Sequence, residues 1–263
     1  LWIVFGCIFA GAVHDYLSGM LSVRHDGASV PEIVGKYLGS GFKKFMVVFS
    51  VILLVLTGVV FVSGPAGLLH GLIASVSKQK FLYIIFAYYL LATLVPIDKL
   101  IGKIYPIFGI CLLIMAIGVG GALIINGVAI PEVAGNLVNM HSEPVKHPLF
   151  PMLFITIACG AISGFHSTQS PLMARCITKE SQGRRIFLGA MIAEGIVALV
   201  WAAAAMSFFG GVPQLNKFMA LNKGNAGIVV NKVCNGLLGK VGGALAILGV
   251  VACPITSGDT ALD

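Results

Sequence analysis

The sequence predicts an all-α fold, a polytopic membrane helix bundle of about seven transmembrane helices, and three observations lead to it. Hydrophobic residues make up 58% of the chain and charged residues only 10%, whereas soluble domains carry about 25% charged residues. The charges cluster between long uncharged runs, and a membrane span needs roughly 20 apolar residues. The runs are continuous rather than alternating, which favours helices over a β-barrel.

Seven candidate spans are obtained when the chain is cut at its charged residues, and the third is short. In chain order they are Trp2–Leu21, Phe45–Pro65, Phe81–Pro96, Ile104–Gly127, Phe150–Ser170, Ile186–Phe209 and Val241–Ser257. We expect one transmembrane domain over residues 1–263. Both ends are expected to be truncated, because the chain begins at Leu1 without a basic leader and stops at Asp263 just after an apolar run.

Lysine and arginine residues set the expected orientation, because they concentrate in cytoplasmic loops. Most of them lie in the first, third and fifth loops, which we therefore expect to be cytoplasmic. These loops contain Arg24, Lys36, Lys43, Lys44, Lys99, Lys103, Arg175, Lys179, Arg184 and Arg185. The net charge of +7 is then an orientation signal. A nucleic-acid partner is not expected, because no basic stripe is interleaved with aromatic residues.

Neither metal-binding nor catalytic motifs occur in the sequence. The six cysteines show no CxxC spacing and lie mostly in apolar runs, so they predict neither a metal site nor a disulfide framework. HExxH, GxSxG and P-loop motifs are absent, and the few acidic residues do not form pairs. The sequence therefore indicates a protein that is not an enzyme.

Three ionisable residues lie inside apolar runs, where a charge costs roughly 2.5 to 3.5 kcal/mol and needs a reason. His14 and Asp15 follow thirteen uncharged residues in the first span, and they belong either to the membrane interface or to an ion or proton path. Glu194 lies about 12 Å along the sixth span. It should be protonated, paired or facing water, so it is either a proton-coupling group or a structural hydrogen-bonding partner.

The segment GAISGFHSTQSP, residues 160–171, places many hydrogen-bonding groups in the fifth span. Gly160 and Gly164 loosen a helix, and Pro171 ends or kinks it. Broken helices in transporters expose backbone groups to solutes in this way, although a GxxxG pair also serves close helix packing. The segment predicts either a binding site or interhelical contacts. The candidate substrate-binding residues are Ser163, Gly164, His166, Ser167 and Gln169.

A second polar segment, CPITSGDTALD, closes the chain at residues 253–263. Pro254 is expected to break the helix, and the oxygen-bearing side chains that follow suit a hard cation such as sodium. The alternative is a helix end whose Asp259 reaches the inner interface. The candidate ion-coupling residues are Thr256, Ser257, Asp259 and Thr260, together with Glu194, His14 and Asp15.

The sixth loop, residues 210–240, is long and contains NAGIVVNKVCNGLLG. This stretch could form a short amphipathic helix at the outer surface. It is either a gate or an ordinary interfacial connector.

Three long segments resemble the carbon starvation protein A (CstA) family of bacterial inner-membrane transporters. They are GAVHDYLSGMLSVRHDGASVPEIVGKYLG (11–39), PLFPMLFITIACGAISGFHSTQSPLMARC (148–176) and PITSGDTAL (254–262). The resemblance covers nearly the whole chain. It implies a secondary transporter for peptides, made when carbon is scarce, with relatives that resemble proton-coupled pyruvate carriers. It also implies that one or two leading helices, and the continuation after Asp263, lie outside this sequence.

The segment ASVPEIVGKYLG is similar to a cytoplasmic loop of sodium/solute symporters, which share the LeuT-like inverted-repeat fold. This likeness implies that the first, fifth and seventh spans are core helices two, six and eight of that fold. All three would run inward, in agreement with the orientation expected from lysine and arginine. Core helix one, which would complete the binding site, would lie before Leu1.

The expected function is cation-coupled uptake of peptides or of a small carboxylate such as pyruvate, in response to carbon starvation. No cofactor is expected beyond the coupling ion, H⁺ or Na⁺. The expected partners are a small-molecule substrate and membrane lipids, and the expected location is the bacterial inner membrane. The alternative is a starvation-linked membrane sensor or scaffold that binds a small ligand without transporting it.

Overall fold

The computed structural model describes residues 2–94, 105–132, 138–152, 154 and 164–262. Regular structure in these residues is helical, and they contain no strand. The helices are α1 (Trp2–Phe5), a π-helical turn (Gly6–Gly11), α2 (Ala12–Val23), α3 (Val30–Leu38), α4 (Ser40–Leu72), α5 (Lys78–Ala92), α6 (Tyr105–Ile125), α7 (Gly164–Arg175), a second π-helical turn (Arg184–Leu188), α8 (Gly189–Phe208), α9 (Val212–Leu221) and α10 (Ala226–Leu262). The all-α prediction is confirmed.

Four helical stretches within the described ranges are long and apolar enough to cross a membrane. They are Ile3–Val23, Ser40–Leu72, Glu180–Phe208 and Ala226–Asp259, which correspond to the first, second, sixth and seventh predicted spans. The third and fourth predicted spans form helices α5 and α6, and α5 has only 15 residues. The fifth predicted span is described only in part, and its residues 155–163 lie outside the described ranges.

The prediction that Pro254 breaks its helix is wrong, and Pro171, which was predicted to end or kink its helix, does not end it. Pro171 lies inside α7, which ends only at Arg175, and Pro254 lies inside α10, which ends at Leu262. Proline removes one backbone hydrogen bond and frees a carbonyl, but membrane helices tolerate this loss where neighbouring groups bind the freed carbonyl. The predicted loosening at Gly160 falls outside the described residues.

The predicted helix in the sixth loop is confirmed as the first part of α10. That part is separated from the apolar part by Gly239, whose backbone is non-helical with a φ of +68°. Glycine tolerates this left-handed conformation better than other residues, so the sequence Gly-Lys at 239–240 permits a sharp change of direction. Helix α9, in the same loop, was not predicted.

The chain divides into two compact units. Unit 1 comprises Leu1–Thr57 and Pro148–Leu199, and unit 2 comprises Gly58–His147 and Val200–Asp263. In unit 1, α2 packs along α7. Gly19 allows the Phe187 ring to approach α2, because a Cβ at this position would overlap the ring. Phe187 in turn packs with Met20 and Ala174 in a buried cluster.

Unit 2 is organised around α10, which packs along α6 and also contacts α5. A buried cluster joins α4 to α5 through Ala66, Phe81, Ile85 and Tyr89. Ile255 of α10 packs against this cluster. The apolar side chains of three helices therefore surround Tyr89, a residue with a polar hydroxyl.

Candidate functional site

Asp15 is the centre of a polar cluster inside unit 1. It is only 8% exposed, although it lies in the first apolar helical stretch. Nδ1 of His14 donates to its Oδ1 at 2.9 Å, and Nδ1 of His166 lies 3.2 Å from its Oδ2. One carboxylate therefore contacts two imidazoles, one from its own helix and one from α7.

The local sequence explains how these three side chains meet. Helix α2 begins directly after the π-helical turn Gly6–Gly11, and such turns frequently accompany functional sites. His166 lies in the first turn of α7, next to the buried Phe165. Since α2 and α7 pack along each other, a side chain on the facing side of α7 reaches Asp15.

Glu194 adds a second carboxylate to this region. It lies on α8 and interacts electrostatically with both His166 and Asp15, while its side chain stays accessible at the surface of the chain. The structure thus brings together four predicted residues that the sequence analysis had divided between substrate and ion. His166 was assigned to the substrate, whereas His14, Asp15 and Glu194 were assigned to the coupling ion.

Three further polar side chains of α7, those of Thr168, Gln169 and Ser170, make hydrogen bonds within their own helix. The hydroxyl of Thr168 donates to the carbonyl of Phe165 at 2.7 Å, and that of Ser170 donates to the carbonyl of His166 at 3.0 Å. The amide of Gln169 donates to the Thr168 hydroxyl at 3.3 Å. Ser167 and Gln169 are half-buried, and Gly164 is the first residue of α7. Ser163 lies outside the described residues.

The C-terminal ends of α2 and α7 are joined by polar contacts that the sequence analysis did not predict. Nε of Arg24 donates to Oε1 of Glu180 at 2.7 Å, which raises the pKa of Arg24. Nε of Arg175 donates to the carbonyl of Gly27 at 3.1 Å. Unit 1 therefore connects α2 to α7 twice, once at Asp15 and once at this end.

Helix α3 begins with a hydrogen-bonded cap. The carboxylate of Glu32 accepts hydrogen bonds from the backbone N–H and the hydroxyl of Ser29, at 2.8 and 2.9 Å. These donors lower the pKa of Glu32, because they stabilise its charged form. The Pro-Glu segment on which part of the family resemblance rests is thus a helix start with a capping box.

Unit 2 contains a different buried carboxylate, Asp259, which is 2% exposed. The hydroxyl of Tyr88 donates to its Oδ2 at 2.7 Å. Helix α10 continues past Asp259 to Leu262, and the carboxylate is enclosed by protein on the side of α5; that it also reaches the membrane interface stays a prediction. Thr256 and Ser257 donate their hydroxyls to the carbonyl of Cys253, at 2.8 and 3.1 Å. Thr260 lies in the same helix.

Tyr89 connects three helices of unit 2. Its hydroxyl lies 3.2 Å from the carbonyl of Phe61 and 3.3 Å from that of Pro254. Phe61 is four residues before Pro65, which lies inside α4, so its carbonyl lacks the usual helical donor. Tyr89 replaces that donor. Gly258 makes room for the hydroxyl, because a Cβ there would overlap it.

Sequence reasoning missed both tyrosines because it treated the third span as a plain apolar run. A signal was present. Two adjacent tyrosines in the interior of such a run carry hydroxyls that need partners when they are buried, and Pro65 in the preceding span removes one backbone donor that a hydroxyl can replace.

Comparison with known proteins identifies the family. The profile described as carbon starvation protein CstA matches residues 1–64 and 66–239. The chain belongs to this family. It is 40% identical to an uncharacterized membrane protein of Haemophilus influenzae, in an alignment that covers 89% of this chain and 75% of that protein. No solved structure matches the chain.

Other members of the family carry functional names. A peptide transporter CstA of Helicobacter pylori is 27% identical over 84% of this chain, and the pyruvate/proton symporter BtsT of Escherichia coli is 24% identical over 87% of it. The chain spans 40% of the length of each of these two proteins. The family and the apolar helices make this chain a multi-pass inner-membrane protein whose named relatives are transporters.

Proposed function

We propose that the chain forms part of a secondary active transporter that takes up peptides or a small carboxylate such as pyruvate by cation coupling, in response to carbon starvation. The names of its relatives support transport and these two substrate classes. The coupling ion is H⁺ or Na⁺. No further cofactor is part of this proposal.

The observation that carries the proposal is the Asp15 cluster. Burying a carboxylate in a membrane helix is costly, and such residues mark ion and proton pathways. Stability alone does not explain ionic groups between α2 and α7, because replacing buried ionic groups by apolar ones is often neutral or stabilising. The two histidines add imidazole rings, which serve as proton relays in membrane transporters.

For the architecture we propose a LeuT-like core. The first, fifth and seventh predicted spans are then core helices two, six and eight, and a bundle that contains core helices one and six moves against the remainder to give alternating access. The lysine and arginine distribution supports the assignment of the Pro-Glu segment to the cytoplasmic side. The substrate would lie against Ser163, Gly164, Ser167 and Gln169.

Two places are candidates for the coupling ion. One is the cluster of Asp15, His14 and Glu194 in unit 1. The other is the segment with Thr256, Ser257, Asp259 and Thr260 in unit 2, where hydroxyl and carboxylate oxygens suit sodium.

Uptake into proteoliposomes containing the full-length protein tests the proposal. Labelled alanyl-alanine and labelled pyruvate are supplied outside, with an inward proton gradient, an inward sodium gradient, both, or neither. We expect one of the two solutes to accumulate above its external concentration when a gradient is imposed. Binding of either solute without accumulation under any gradient would instead support a membrane sensor.

A further inference from the structure

We propose that Asp15 and His166 together form the proton-carrying pair of this transporter, with His14 as the positioning residue, so that the coupling ion is H⁺ and not Na⁺. The inference rests on the proposed function and names the residues that bind the coupling ion. It assigns His166 to the ion site, whereas the sequence analysis placed it among the substrate-binding residues.

Contacts around the Asp15 carboxylate favour a proton over a metal cation. Sodium requires several oxygen ligands, as hard cations do. Both oxygens of Asp15 are instead contacted by ring nitrogens, at 2.9 Å from His14 and 3.2 Å from His166. A ring nitrogen is a poor ligand for sodium, whereas imidazole binds a proton directly.

The atoms also define where the proton is gained and lost. A carboxylate oxygen only accepts, so the Nδ1 of His14 that hydrogen-bonds to Asp15 carries a hydrogen. The ring of His166, whose Nδ1 lies 3.2 Å from Oδ2 of Asp15, has in its neutral form one nitrogen without a hydrogen, and we assign the exchanged proton to that nitrogen. Binding converts the neutral ring to an imidazolium next to the Asp15 carboxylate, and release on the opposite side of the membrane restores the neutral ring. The N–H bond that forms when the proton binds is the bond that breaks when the proton is released.

Every charged neighbour of His166 that the described residues reveal favours this protonation. Asp15 lies on α2, and Glu194 interacts with the ring from α8. Glu194 is exposed at the surface of the described residues, and we assign it the transfer of protons to and from the enclosed pair. His14 contacts Oδ1 of Asp15, and the buried thiol of Cys7 interacts with Glu194.

His14 positions the carboxylate instead of carrying the transported proton. It is the neighbour of Asp15 on the same helix, so its contact does not depend on how α2 and α7 are arranged. By holding Oδ1 it directs Oδ2 towards α7. The contact with His166 does join two helices, and its strength therefore changes with the proton on His166.

The test compares net uptake with exchange in proteoliposomes of the full-length protein. Asp15→Asn and His166→Gln are expected to reduce accumulation driven by a proton gradient to the level of protein-free liposomes. Both variants are expected to retain counterflow, the exchange of labelled for unlabelled solute at equal pH, because exchange requires no net proton movement. His14→Gln is expected to lower the accumulation rate with a shifted pH profile, and His25→Gln to match the parent.

Three results would overturn the inference while leaving the transporter in place: accumulation by the parent under a sodium gradient alone, normal proton-driven accumulation by Asp15→Asn, or normal accumulation by His166→Gln. Absence of accumulation by the parent under every gradient would contradict the proposed function itself. If neither variant retains counterflow, a measurement on the parent protein in detergent replaces the comparison. Adding substrate to the parent in a weakly buffered solution is expected to cause proton uptake by the protein. Absence of that uptake would overturn the inference.

Discussion

Asp15 in unit 1 and Asp259 in unit 2 are both buried carboxylates in apolar helices, yet their partners differ. Asp15 is contacted by two imidazoles, whereas Asp259 accepts from a tyrosine hydroxyl. Imidazole changes its charge near neutral pH, while a phenol ordinarily keeps its proton until about pH 10. Under the proposed proton coupling, the partner decides whether a buried acid responds to protons, and Asp15 in unit 1 is the acid with suitable partners.

The contrast between Asp15 and Asp259 would be contradicted if removing the partner of either acid had the same effect on proton-driven accumulation. His166→Ala is expected to abolish proton-driven accumulation with expression intact, which is the largest effect that we predict. Tyr88→Phe removes only the hydroxyl at Asp259, so accumulation per molecule of folded protein should stay close to that of the parent. Uptake normalised to the protein content of the liposomes measures both. Equal losses in the two variants would show that Asp259 also takes part in coupling.

Packing around the tyrosines offers a second way to sharpen the comparison, through stability instead of transport. Gly258→Ala places a methyl group where the Tyr89 hydroxyl lies, and such overpacking costs about 1–3 kcal/mol. Gly64→Ala is the matched control in α4, because a Cβ there meets no atom within 4 Å. We expect thermal unfolding in detergent to shift downward for the first variant and not for the second. Equal midpoints would mean that Tyr89 has room to move away from α10.

The hydrogen bond between Tyr89 and Phe61 can be isolated with a double-mutant cycle. Tyr89→Phe leaves the carbonyl freed by Pro65 without its donor, which costs about 1–3 kcal/mol. In a Pro65→Ala background the backbone N–H returns and binds that carbonyl, so the same substitution should cost roughly 1 kcal/mol less. Unfolding midpoints of the four proteins give the coupling. If the effects of the two substitutions simply add, the Tyr89 hydroxyl contributes to stability through the carbonyl of Pro254 and not through that of Phe61.

Sequence reasoning correctly predicted helices that depend on the length of an apolar run. It failed for features that depend on a contact with a residue far away in the sequence. The apolar runs behind α4 and α8 were recognised because burial in lipid depends on composition. The continuation of α10 through Pro254 was not recognised, because tolerance of a proline inside a membrane helix depends on neighbouring groups that lie far away in sequence. Tyr89 is such a neighbour for Pro65 of α4, because its hydroxyl lies 3.2 Å from the carbonyl of Phe61.

The candidate site was predicted as a set of residues but not as an arrangement. His14, Asp15, His166 and Glu194 stood out because each is a polar residue in or beside an apolar run. Their assignment to separate substrate and ion sites followed their distance along the chain. Only the packing of α2 along α7 shows that His166 belongs with Asp15, and no periodicity within either helix contains that information.

Glu32, an exposed carboxylate outside both clusters, provides the smallest expected effect and the clearest pH dependence. Ser29→Ala removes one donor to Glu32 and the N-cap side chain of α3, which costs about 1 kcal/mol at neutral pH. Because hydrogen bonds lower the pKa of Glu32, its contribution is present above the ordinary glutamate value of about 4.3 and is lost as the pH falls through the lowered pKa. The difference in unfolding midpoint between the parent and Ser29→Ala should therefore shrink in acid, and Ser63→Ala, whose hydroxyl donates only within α4, should show no such pH dependence. A constant difference from neutral to acidic pH would mean that the Glu32 carboxylate contributes nothing to the cap.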